Sequence, residues 1–217
     1  MLDRLALLVT RPAILAVARP LARAGVSANA LTWTGFAIGL LAAVLVSQGA
    51  FLSGLLAIGA SRVCDALDGA VARQTQATDL GGFLDITLDF VFYASIPLAF
   101  AVADPARNAL AAAVLLASFV GTASSFLAFA VIAAKRGLDN LAVPDKSFYF
   151  VGGLTEGTET LAFFAACCLW PHYFAPLAYG FAALCGLTLV SRVVWGMRAF
   201  ANVRPSGEPD LSGKGRP

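Results

Sequence analysis

The sequence predicts an all-α integral membrane protein, with six transmembrane helices preceded by an amphipathic interfacial helix. Three observations carry that prediction. Apolar residues make up 59% of the 217-residue chain and charged residues only 13%, against roughly a quarter charged in soluble domains. The mean hydropathy is +0.79. Six apolar runs, at 30–49, 51–72, 82–103, 108–134, 151–170 and 174–199, approach the ~20 residues that a helix needs to cross the hydrocarbon.

Residues 1–25 come first. Arg4, Arg11, Arg19 and Arg23 fall within an arc of about 120° at the helical period, the pattern of a segment lying in the membrane interface. These arginines, with Pro12 and Pro20 interrupting the apolar run, separate it from a signal peptide. The transmembrane domain is expected over residues 26–200. Ser47-Gln48-Gly49-Ala50 divides the first two runs as a tight hairpin, and Asp104-Pro105 and Trp170-Pro171 mark later turns. Residues 201–217, with RPSGEPDLSGKGRP from Arg204, lack periodicity and read as a disordered cytoplasmic tail.

Orientation follows from where the basic residues fall. With six spans, both termini and the loops near 73–81 and 135–150 share one side. That side receives every Lys and Arg except Arg107. The positive-inside rule makes it cytoplasmic, as expected of a multi-pass membrane protein. A net charge of +2 gives no footprint for nucleic acid. Cys64, Cys167, Cys168 and Cys185 lie in apolar runs without a C-x-x-C pair and read as small buried residues. His172 reads as an interfacial loop residue.

The stretch DALDGAVARQTQATDLGGFLDITLD (65–89) places carboxylates among apolar spans. On a helical wheel Asp65, Asp68, Gly69 and Ala72 share one face, and Asp85 and Asp89 share a face of the next span. A short loop makes those helices antiparallel neighbours, so four carboxylates can converge near the cytoplasmic end. Capping or pairing with arginine is the structural alternative. Four unpaired aspartates would cost about 10–14 kcal/mol at mid-membrane, and Arg62 and Arg73, the basic residues near in sequence, are too few to neutralise them. Mg²⁺ or Mn²⁺ would, since hard cations take carboxylate oxygens and keep positions for substrate phosphates. A pair of such ions could clamp a diphosphate while a remaining carboxylate, Asp89, takes a proton from an attacking hydroxyl. Arg73 at the cytoplasmic lip could hold a phosphate. Asp79 fits neither face and reads as an N-cap or a solvated loop charge.

These residues resemble the CDP-alcohol phosphatidyltransferase signature, D-x2-D-G-x2-A-R-x8-G-x3-D-x3-D. Here it runs Asp65, Asp68, Gly69, Ala72, Arg73, Gly81, Asp85 and Asp89, with seven residues instead of eight between Arg73 and Gly81. The first span opens Ala28-Asn29-Ala30-Leu31-Thr32, similar to the family's P-N-x-[IL]-T without its proline. The resemblance implies six transmembrane helices behind an interfacial helix, a homodimer, and displacement of CMP from a CDP-linked donor, commonly CDP-diacylglycerol, by an alcohol. It implies that Asp65, Asp68 and Asp85 bind metal, that Asp89 binds metal or acts as base, and that two Mg²⁺ or Mn²⁺ ions serve each site. It places Asn29, Thr32, Gly69, Ala72, Arg73 and Gly81 against the CDP donor.

The acceptor must be read elsewhere. KSFYFVGGLTEGTET (146–160) resembles a run carried by a bacterial subfamily with KSFY…GGLTEGTET. It puts Glu156 and Glu159 on one face of the fifth span, with Lys146 and Arg136 in the loop before it and Arg192 in the last span. Either glutamate could pair with Arg192 as a structural ion pair. Alternatively the glutamates would select an amine-bearing or polyhydroxyl alcohol, and Arg136, Lys146 and Arg192 a phosphorylated one. Two other functions use similar carboxylates: a membrane prenyltransferase acting on a Mg²⁺-bound diphosphate, and a metal- or proton-coupled transporter. The first usually has different aspartate spacing and lacks D-G-x2-A-R; ion flux without CMP release would mark the second.

Overall fold

The computed structural model describes residues 2–136 and 155–201, with side chains over 10–136 and 155–200. Every regular element among them is helical: α1 (Leu2–Arg23), α2 (Ala28–Ser47), α3 (Phe51–Ala72), α4 (Asp79–Ala103), α5 (Pro105–Lys135), α6 (Gly157–Leu169), a 3₁₀ turn (Pro171–Tyr173) and α7 (Phe174–Ala201). The expected tail and the segment holding Lys146, Gly152 and Gly153 lie outside the described residues.

Local chemistry sets the helix ends. Ser27 accepts from the Ala30 amide at 3.2 Å and starts α2; Thr78 does the same for Gly81 at 3.1 Å and starts α4. Asp104 accepts from the Arg107 amide at 3.2 Å, and Pro105 fills the next position of α5, where its missing N–H costs nothing. Gly25 (φ 79°) and Gly49 (φ 78°) take left-handed backbone after α1 and α2, which glycine adopts without strain. The helix expected over the first residues is α1, which runs through Pro12 and Pro20 and ends where the Ala24 amide bonds to the Pro20 carbonyl at 2.9 Å. One expectation changes here. Asp79 is neither the N-cap nor a loop residue: it begins α4 behind the Thr78 cap, where a negative charge favours the helix dipole.

Among the described residues, four helices are long and apolar enough to cross a membrane: Ala28–Ser47, Asp79–Ala103, Pro105–Lys135 and Pro171–Phe200. α3 has 22 residues but carries Arg62, Asp65 and Asp68, and 13 residues of the expected 151–170 run form α6. The architecture is thus an all-α membrane protein, with four spans satisfied by length and composition.

Small residues let α2 sink between α3 and α4. Thr32, Gly35, Gly39, Ala42 and Val46 form its buried stripe, the close-packing pattern of membrane helices. A Cβ at Gly35 would lie 2.9 Å from that of Cys64. The Ser61 hydroxyl donates to the Gly35 carbonyl at 2.7 Å, tying α3 to α2. Further from the aspartates, Phe51, Phe100 and Phe174 stack with centroids 5.5 and 4.5 Å apart. Cys167, Cys168 and Cys185 are free and buried. α1 lies against α3 through Ala18, Leu67, Ala70 and Val71, bringing the interfacial segment to the carboxylate end of the bundle. His172 is exposed in the 3₁₀ turn, where its carbonyl accepts from Arg107 at 3.3 Å.

Candidate active site

α3 and α4 are joined by a six-residue turn, 73–78, and α2 packs against both, so side chains from the end of one helix reach those at the start of the other. Asp65, Asp68 and Asp85 come together there, each offering an oxygen within 4.8 Å of the others. Asp68 is buried, Asp65 half-buried and Asp85 exposed. The cluster therefore grades from helix interior to open face. Asp68 Oδ2 is buried without a hydrogen-bond partner among the described residues, while Thr32 from α2 lies beside the same carboxylate. A buried acceptor without a donor costs about 1–3 kcal/mol, more when charged. A hard divalent cation removes that cost, and three carboxylate oxygens at this spacing fit one.

Asp89 is one helical turn beyond Asp85 but is not in the three-carboxylate group. Its Oδ1 accepts from Arg62 Nη1, and that nitrogen is also 3.4 Å from Asp65 Oδ1. Thr32, Gly35, Phe36, Arg62, Asp65, Asp85, Leu88 and Asp89 line one narrow crevice. Sequence reasoning treated Arg62 as a nearby charge and missed it as a member of the site. The available signal was a basic residue inside an apolar run, three positions before Asp65.

The residues expected to contact the donor fall in two groups. A Cβ on Gly69 would be 3.2 Å from Arg73 Nη1, so the guanidinium folds back over the glycine. A Cβ on Gly81 would be 3.2 Å from Asn29 Oδ1 and from Thr78 Oγ1. The opening of α2 and the start of α4 therefore meet at Gly81, and side chains already fill the space that a Cβ at either glycine would take. Ala72 closes α3. Thr32 is buried with its hydroxyl donating to the Ala28 carbonyl at 3.1 Å.

The acceptor candidates separate. A cavity of about 310 Å³ opens among α4, α5, α6 and α7, walled by Phe90, Tyr93, Phe119 and Phe126, with Thr122, Thr155, Glu156 and Arg192 as polar lining. Arg192 Nη1 donates to the Thr122 carbonyl at 3.0 Å. Glu156 and Glu159 do not share a face of a span: Glu156 is the extended N-cap of α6, and the Glu159 carboxylate accepts from its amide at 3.3 Å. The physical reason is the helix's need to satisfy its first amides. Arg136 is also elsewhere, donating to the Phe200 carbonyl at 3.3 Å with its guanidinium 5.1 Å from that ring. Lys146 lies outside the described residues.

The family model for CDP-alcohol phosphatidyltransferases matches residues 25–190. The chain belongs to this family. It is an enzyme of the phosphatidyltransferase class, and that membership sets aside the prenyltransferase and transporter readings. It is 49% identical over 193 residues to the inner membrane protein YnjF of Escherichia coli (strain K12), covering 89% of this chain and 94% of that one. Over 107 residues it is 39% identical to archaetidylinositol phosphate synthase of Pyrococcus horikoshii, covering 48% and 56% of the two chains. In fold it matches the crystal structure of Mycobacterium tuberculosis phosphatidylinositol phosphate synthase (PgsA1) with CDP-DAG bound, with a TM-score of 0.64 at 22% identity, over 88% of this chain and 97% of that one. The matched span contains the carboxylate cluster and both glycines.

Proposed function

We propose that this phosphatidyltransferase moves a phosphatidyl group from CDP-diacylglycerol to the hydroxyl of an alcohol, releasing CMP, as a homodimer at the cytoplasmic face of a bacterial inner membrane. The observation that carries the reading is the convergence of Asp65, Asp68 and Asp85, with Gly69 next to Asp68 and Gly81 one helical turn before Asp85. Relatives support its parts: PgsA1 has structures with CDP-DAG bound and in complex with manganese and citrate, and YnjF is named an inner membrane protein.

In this reading Asp65, Asp68 and Asp85 hold Mg²⁺ or Mn²⁺, with Asp89 the residue that a second ion would recruit. Bound there, the ions would neutralise the diphosphate and stabilise charge on the departing CMP. Asn29, Thr32, Gly69, Ala72, Arg73 and Gly81 seat the CDP moiety: the glycines allow close approach, and Arg73 supplies charge-assisted hydrogen bonds to a phosphate. Asp89 takes the proton as the acceptor oxygen attacks the phosphorus bearing the diacylglycerol. A new P–O bond forms, the diphosphate P–O bond breaks, and CMP leaves with its electron pair.

The acceptor enters through the cavity between α4 and α7. Phe90 and Tyr93 flank Asp89 by one and four residues and also line that cavity, so an alcohol held there lies beside the base. Arg192 and Glu156 give it one charge of each sign. Incubating the purified enzyme with CDP-diacylglycerol, Mn²⁺ and a panel of alcohols should yield acceptor-dependent CMP and a lipid of matching mass. Absence of CMP across amine-bearing, polyhydroxyl and phosphorylated acceptors would defeat the reading.

A further inference from the structure

The Arg62 guanidinium is fixed from three helices. Nη1 bonds Asp89 of α4; Nη2 donates to Ser61 Oγ at 3.2 Å, and Ser61 is itself tied to the Gly35 carbonyl of α2. Its Cζ sits 4.0 Å from the centroid of Phe92, which is fully buried, a cation–π seat stronger out of water. The side chain is 13% exposed. A structural ion pair needs one carboxylate. This guanidinium contacts two, and the second, Asp65, belongs to the three-carboxylate cluster.

We propose that Arg62 is a positioning residue that bridges Asp89 to the Asp65 edge of the Asp65–Asp68–Asp85 cluster and thereby orders metal entry. The inference rests on the divalent-cation reading given above. A first ion finds three carboxylate oxygens already gathered. A second ion must use Asp89 and the outer side of Asp65, where Arg62 already stands. A guanidinium and a divalent cation on the same oxygens repel each other, so the second ion binds only as Arg62 gives up Asp89. The geometry makes the two affinities unequal and assigns the inequality to one side chain. It also keeps Asp89 oriented toward the crevice until the site is charged.

The test is a Mn²⁺ titration of the purified full chain without substrate, followed by the electron paramagnetic resonance of free Mn²⁺, with wild type, Arg62→Gln and Arg62→Lys. Arg62→Gln should tighten the weaker class of site about tenfold, about 1.4 kcal/mol, or create a second class where wild type shows one. The tighter class should stay within about twofold. Arg62→Lys keeps the charge without the planar fork and should tighten the weaker class about threefold. Superimposable titrations for wild type and Arg62→Gln, or equal weakening of both classes, would overturn the proposal. Should Arg62→Gln not fold, an Arg62→Lys titration identical to wild type overturns it instead. Failure of the underlying metal reading looks different: wild type then binds no Mn²⁺, and Asp68→Asn changes nothing.

Discussion

Gly39→Ala tests whether packing above the site controls the site itself. Gly39 is buried on α2 facing α3 and α4. An added Cβ would lie 2.6 Å from Phe92 Cδ2 and 3.0 Å from Ser61 Oγ. Carbon–carbon contacts settle at about 3.5–4.0 Å, so Phe92 or the whole of α2 must yield by about 1 Å. Phe92 has little room, being fully buried with ring contacts to Tyr93 at 5.3 Å and Phe164 at 6.4 Å. Overpacking of this kind costs about 1–3 kcal/mol, offset by up to about 1 kcal/mol of helix propensity gained over glycine. With the full offset the net loss is about 0–2 kcal/mol, a factor of up to roughly 30 in the folded ratio. Both atoms that meet the new methyl also hold Arg62: Phe92 beneath its guanidinium and Ser61 at Nη2. Turnover should therefore fall with stability. The assay is thermal unfolding in detergent with CMP release measured below the transition. Gly59→Ala is the control, because its Cβ meets nothing within 4 Å. A Gly39→Ala protein that melts at or above Gly59→Ala and turns over like wild type would refute the reasoning.

Three further outcomes follow from the same geometry. Asp68→Asn removes the most buried cluster charge while keeping its shape; Mn²⁺ affinity should fall at least about tenfold and CMP release should be lost, with the melting temperature of the metal-free protein unchanged or raised, as read by metal titration and thermal unfolding. Gly81→Ala puts a methyl 3.2 Å from Asn29 Oδ1 and Thr78 Oγ1, so the KM for the CDP donor should rise about threefold to tenfold with little change in kcat. Arg192→Leu removes the donor to the Thr122 carbonyl and the cation of the aromatic cavity; kcat/KM for the alcohol should drop about tenfold or more, leaving the donor KM unaltered in steady-state assays.

Much of the helical plan was legible because membrane helices announce themselves by apolar length, and their ends by Ser, Thr, Asp, Pro and Gly. α3 was readable in the sequence despite its charges, since Arg62, Asp65 and Asp68 interrupt an otherwise apolar run. The gathering of Asp65, Asp68 and Asp85 was legible for the same reason that helix faces are: 3.6-residue periodicity on two helices joined by a short turn fixes which side chains can meet. What periodicity could not give is partnership across distance. Arg62 and Asp89 are 27 residues apart, and nothing local distinguishes an arginine aimed at a carboxylate from one that reaches to the interface. Glu156 and Glu159 show the opposite failure. Their three-residue spacing suits both a shared helix face and a capping box, and only the start of α6 at Gly157 decides for the box. The aromatic cavity draws its walls from α4, α5, α6 and α7, a coincidence of four elements that no single run contains.

The missing residue between Arg73 and Gly81 is the sharpest case, because a shorter turn could have rotated one aspartate face away from the other. The turn absorbs the deletion by ending α3 and starting α4 with side chains. The amides of Gln74 and Thr75 both bond to the Val71 carbonyl, at 2.9 and 3.0 Å, and the Gln74 and Thr75 side chains donate to the Ala70 and Val71 carbonyls. Thr78 then caps α4. Each helix end is satisfied independently, so the shorter connection constrains neither helix's rotation, and packing of α2 against both sets it instead. Gly81 still meets Asn29, and Asp85 still meets Asp65 and Asp68. The requirement on this turn is therefore not its length but the two caps that bracket it.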